Sequence, residues 1–90
     1  MYETIAMKLQ VSPQELERES LRLFLHHQMR LIESQLFSLA HKYGVRTITE
    51  LDRLAQSGAI HEDDAFEDYF EFDYLEATRD TLRESLRELA

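Results

Sequence analysis

The side chains best placed to do chemistry lie at residues 62–76. There Glu62, Asp63, Asp64, Glu67, Asp68, Glu71, Asp73 and Glu76 occur with no Lys or Arg among them, and Phe66, Tyr69, Phe70, Phe72 and Tyr74 are interleaved. Aromatic rings supply apolar anchors at protein interfaces, and unneutralised carboxylates steer and orient a basic partner. The spacing therefore predicts a binding segment for a basic protein, carried by Asp63, Asp64, Phe66, Glu67, Asp68, Phe70, Glu71 and Tyr74. A plainer reading docks the rings on a neighbouring helix and leaves the acids to water. The two are compatible when only some rings are buried.

Other chemistries find less support. Glu67 and Glu71 share a helix face that Asp64 can join, but no Glu-x-x-His pair of the helical di-iron type is present. The segment also lacks the central glycine of an EF-hand loop. His26 and His27 are neighbours, so on a helix they point about 100° apart. His41 suits the negative end of a helix dipole, and His61 falls near a helix start. No Gly-rich phosphate loop, nucleophile motif or zinc signature occurs. The expectation is a non-enzymatic protein with no catalytic residue, no metal and no cofactor.

These residues belong to a chain of 90 residues, enough for one domain near the small end of self-sufficiency. Its 43% hydrophobic content lies well above the disordered range, while 31% charged residues fits helices with one wet face. Two glycines and one proline leave little punctuation, so long regular elements should dominate. The absence of cysteine fits a reducing cytoplasm. Met1-Tyr2-Glu3-Thr4 does not read as a secretory leader, and apolar runs such as Leu23-Phe24-Leu25 fall far short of the roughly 20 residues that span a bilayer. A soluble cytoplasmic protein is expected.

Charge is unevenly placed. Residues 1–46 hold six Lys or Arg against five acids, whereas residues 47–90 hold four Arg against thirteen acids, together giving the net −8. Such asymmetry points to two tasks in one small chain, unless the acidic half is simply well solvated.

The elements that must position the acidic segment follow from local signals. In residues 4–11, Ile5, Met7, Leu9 and Val11 alternate with Thr4, Ala6, Lys8 and Gln10, which predicts a short strand within an arm over residues 1–11. A lone strand cannot satisfy its backbone groups, so it would pair with its copy in another chain, lie against the helices or fray. Ser12-Pro13-Gln14-Glu15 then combines an N-cap serine, a proline at the first helical position and a capping-box glutamate. No breaker follows until Lys42-Tyr43-Gly44-Val45, a Schellman-type stop. One long helix is thus expected over about 13–43, inside a segment spanning 12–44.

On that helix Leu25, Met29, Ile32, Leu36, Leu39 and Tyr43 recur at alternating spacings of four and three, an apolar seam of coiled-coil type. The helix would be about 46 Å long, against about 30 Å for a compact globule of this length. The seam is therefore assigned to a homodimer. Thr47-Ile48-Thr49-Glu50 repeats the capping box and opens a short helix to Gly58, with Ile48, Leu51, Leu54 and Ala55 inward. A third helix begins near His61. Residues 74–90 form a further helix or its continuation, with Glu76/Arg79, Asp80/Arg83 and Glu84/Arg87 as i,i+3 pairs. The fold class is mainly α in a single domain over residues 1–90: a short N-terminal strand, one long helix, and two or three shorter helices in the acidic half at 47–90.

A rival function uses the other end. Two paired strands form a ribbon that enters a major groove, and Thr4, Lys8 and Gln10 would then face DNA as in a transcriptional repressor. Arg18 and Arg22 would meet phosphates, although net −8 opposes non-specific binding.

The order of these elements resembles the antitoxin component of prokaryotic type II toxin–antitoxin pairs. Thr4–Leu25 is similar to the opening of ribbon-helix-helix antitoxins. The stretches Lys42-Tyr43-Gly44-Val45, Glu67-Asp68-Tyr69 and Asp73-Tyr74-Leu75-Glu76 resemble small uncharacterised prokaryotic proteins associated with such operons. A ribbon-helix-helix chain breaks its first helix after a few turns, whereas no Gly or Pro interrupts residues 14–43 here. The resemblance implies a dimer that neutralises a small basic toxin and represses its own operon.

Overall fold

In a computed structural model the chain is helical in four segments: α1 (Tyr2–Leu9), α2 (Pro13–Tyr43), α3 (Ile48–Gln56) and α4 (Glu62–Leu89). The structure describes residues 1–60 and 62–90, and of residues 62–64 the backbone alone. The helix expected to begin near His61 and the segment expected at residues 74–90 are one helix. Among the described residues none is long and apolar enough to cross a membrane.

The N-terminal strand is not seen; residues 2–9 are helical. The same eight residues carry both periodicities, because Tyr2, Ile5, Ala6 and Leu9 share a helix face as readily as Ile5, Met7 and Leu9 share a strand face. The helix satisfies its own backbone groups, which a strand without a neighbour cannot do. Ala6 is fully buried where α1 meets α2, and its small side chain permits the close approach. Met7, which the strand reading placed with Ile5 and Leu9, points into solvent.

Three helices end by the same device. After α1 the Val11 amide donates to the Ala6 carbonyl and Gln10 takes a left-handed conformation, φ 59°. After α2 the Val45 amide donates to Ala40 and the Gly44 amide to His41. After α3 the Ala59 amide donates to Leu54 and the Gly58 amide to Ala55. Each is a Schellman pair of bonds around one left-handed residue. Gly44 and Gly58 take that conformation freely, whereas Gln10 pays a steric cost for its Cβ. The starts are capped as the sequence requires. Ser12 Oγ accepts the Glu15 amide at 3.0 Å, and Thr47 Oγ1 accepts the Glu50 amide at 3.2 Å. The Glu50 carboxylate reaches back to the Arg46 amide at 2.8 Å, one residue before the cap.

α4 lies along α2, and α3 packs across α4 near its start. The molecule is a rod with extents of 61 × 19 × 16 Å and a radius of gyration of 18.8 Å, against about 12 Å for a compact domain of this length. The length argument for a dimer seam assumed a globule, and the chain is not one. Its own α4 covers the seam. Ile32, Leu36, Leu39 and Tyr43 join the intrachain core with Val45, Leu51, Phe72 and Leu75, while Leu25 and Met29 are half-buried further along. That core sits where α2, α3 and α4 meet.

Candidate protein-binding face

α4 starts against this core, and its period decides which rings are spent on packing. Ala65, Phe72 and Leu75 are buried and Tyr69 packs at the edge of the cluster. Phe66, Phe70 and Tyr74 recur at i, i+4 and i+8, so they share one face. That face points away from α2: the three are 62%, 56% and 66% exposed, whereas Phe72 is 1% exposed. The Phe66 and Phe70 rings meet edge to face at 4.9 Å, and Tyr69 meets Phe70 likewise at 5.7 Å. Such contacts hold the rings in place before any partner arrives. Beside them an open groove of about 310 Å³ runs between α3 and α4, lined by Leu51, Ala55, Ala65, Phe66, Tyr69 and Phe70, with Asp52.

The carboxylates divide in the same way. Glu67, Glu71 and Asp73 are exposed and take part in no ion pair among the described residues. Asp68 turns inward instead. Its Oδ2 accepts Lys42 Nζ at 2.6 Å and the Tyr43 hydroxyl at 2.5 Å, tying α4 to the end of α2. Those two hydrogen bonds, the lysine's the stronger, hold the Asp68 carboxyl below the usual carboxylate range. Burial, then the bond to Asp68, pushes the Tyr43 phenol up. Asp68 is thus removed from the partner face, and the side chains of Asp63 and Asp64 lie outside the described residues. Phe66, Glu67, Phe70, Glu71 and Tyr74 are brought together as the spacing requires.

The other sequence-derived sites fare differently. Thr4 and Lys8 are exposed on α1 and Gln10 caps it, so no ribbon presents them to a groove in DNA. Of the expected ion pairs, Asp80–Arg83 and Glu84–Arg87 form at 4.0 and 3.5 Å, while Arg79 pairs with Asp80 rather than Glu76. His41 stacks on Phe37. Among the described residues no three His, Asp or Glu side chains gather as a metal site.

Two features escaped the sequence. The Lys42–Tyr43–Asp68 bridge joins residues 25 and 26 positions apart, and only the placement of Tyr43 at the end of the seam hinted at it. The second is a groove of about 580 Å³ at the α2–α3 turn, lined by Leu36, Phe37, His41, Arg46, Arg79 and Arg83 among others, which no local pattern signals.

No curated protein and no solved structure matches the chain. A family model described as "Uncharacterized protein MJ0235 family" matches residues 1–90.

Proposed function

The chain belongs to the MJ0235 family, and we propose that it is a non-enzymatic binding module whose acidic aromatic face on α4 captures a basic protein, in the manner of an antitoxin. One observation carries the reading: three aromatic side chains on one face stay more than half exposed, beside unpaired carboxylates and an open groove. A solvated helix face has no use for three exposed rings, whereas an interface core uses such rings as anchors inside a charged rim. Glu67, Glu71 and Asp73 supply the steering charge, and the α3–α4 groove receives an apolar side chain of the partner. The antitoxin-like role rests on the resemblance of the sequence stretches given above.

The test is association kinetics against a basic protein recovered with the chain in a pull-down from the source cell. Glu67→Gln with Glu71→Gln should slow association by about tenfold at low salt and leave dissociation nearly unchanged, the pattern of steering charge. Phe70→Ala with Tyr74→Ala should accelerate dissociation, since buried aromatic anchors hold complexes together. Association of the carboxamide variant at the wild-type rate at every salt concentration would make the acids a solvated face and nothing more.

A further inference from the structure

We infer that the N-terminal half of α2, with α1 laid on it, is a self-association surface, and that its occupant is a second copy of this chain. The proposal stands apart from the acidic face.

α2 has a second apolar stripe. Leu23, Phe24 and Leu31 lie about 100° or more round the helix from the seam that α4 covers. They are 70%, 58% and 48% exposed. α1 covers only the beginning of this side, where Leu16 and Ser20 are half-buried. α1 also leaves Tyr2, Ile5 and Leu9 exposed. α4 packs on the seam, on another side of α2, and does not run its full length. With Asp68 against Tyr43 and equal rise in both helices, Leu89 arrives back at about Arg22. Pro13–Leu21 extend past its end.

The area is of the right size. Six large side chains, each exposing roughly half of about 200 Å², leave on the order of 600 Å² of apolar surface per chain. A stable interface takes about 800 Å² from each partner, so this patch with a polar rim suffices. That much apolar surface is at the upper end of what a monomer leaves uncovered in one patch.

Charge selects the occupant. Residues 1–46 carry six basic and five acidic side chains, so the patch offers neither a basic nor an acidic partner a field to follow. The part of α4 beside the patch, residues 76–89, carries four acids against three arginines, so two copies meeting there bring near-neutral surfaces together and keep Glu67, Asp68, Glu71 and Asp73 apart at the far ends. Association through the C-terminal half would oppose like charges. An isologous contact between N-terminal halves avoids that repulsion and closes on itself as a two-fold dimer.

Sedimentation equilibrium of the full chain at micromolar concentration tests this, beside circular dichroism. The wild type should give the mass of two 10.7 kDa chains. Phe24→Glu with Leu31→Glu should raise the dissociation constant by about 100-fold or more, because it sets charge in the apolar contact. If that variant loses helix, Phe24→Ala with Leu31→Ala serves in its place and should raise the constant by about tenfold at unchanged helicity. Phe70→Glu, on the acidic face, should leave the dimer intact. A single-chain mass for the wild type, an unchanged constant for the folded N-terminal variant, or dissociation by Phe70→Glu would each overturn the proposal.

Discussion

The hydroxyl of Tyr43 donates to Asp68 Oδ2 at 2.5 Å, and through that one oxygen the end of α2 is fastened to the first third of α4. Lys42 donates to the same atom from the solvent side. The contact accompanies the rotation of α4 that buries Ala65, Phe72 and Leu75 and turns Phe70 outward.

The bridge makes stability depend on pH in a definable sense. A carboxyl held below its ordinary range contributes stability present above that range, and the contribution is lost as pH falls through the folded value. Lys42, raised chiefly by its bond to Asp68, and Tyr43, raised chiefly by burial, contribute below their ordinary values and lose the contribution as pH rises through the folded ones. Tyr43→Phe should cost about 1 kcal/mol at neutral pH in urea denaturation. Asp68→Asn should flatten the acid limb of the stability curve, and parallel acid limbs for the two proteins would mean that the bridge does not form in solution.

Neighbouring aromatics should separate cleanly by burial. Phe72→Ala empties a fully buried site and is expected to cost about 3–5 kcal/mol. Phe70→Ala, two residues away on the outer face, should stay within about 0.5 kcal/mol of wild type. Thermal denaturation of both variants reads the rotation of α4 directly, and a costly Phe70→Ala would place that ring in the core.

The three Schellman stops predict opposite effects for two glycine exchanges. Gly44→Ala places a Cβ on a residue at φ 67° and should destabilise by about 1 kcal/mol, although no atom obstructs it. Gln10→Gly relieves the same strain at φ 59° and should stabilise α1 by a similar amount, about 0.5–1 kcal/mol. Amide exchange in α1, slower in the second variant, is the measurement.

Ala6 is expected to tolerate nothing larger. Ala6→Leu forces α1 away from α2 and should cost about 1–3 kcal/mol or detach the segment, raising exchange over residues 2–9 while α4 keeps its protection. Unchanged protection of α1 would show that it does not rest on α2 through this residue.

Local chemistry alone determined where the helices of residues 12–58 begin and end. Ser12-Pro13 and Thr47 cap starts and Gly44 and Gly58 take left-handed stops, and these are contacts over a few residues that the sequence displays directly. The seam from Leu25 to Tyr43 was equally legible, because periodicity survives whatever covers it. The aromatic and acidic character of the α4 face was legible too, but not which members would face outward. Tyr69 and Phe72 against Phe66 and Phe70, and Asp68 against Glu67, are told apart only by the rotation of one helix on another. Residues 2–9 fit two periods at once, and a buried alanine where α1 meets the following helix goes with the helix. The seam shows the same division. Its apolar residues demand a cover but carry no label for it, since apolar contact is non-directional. A copy of α2 or the chain's own α4 would satisfy it, and tertiary structure chose α4 because an extended rod lets that helix run back along the whole seam.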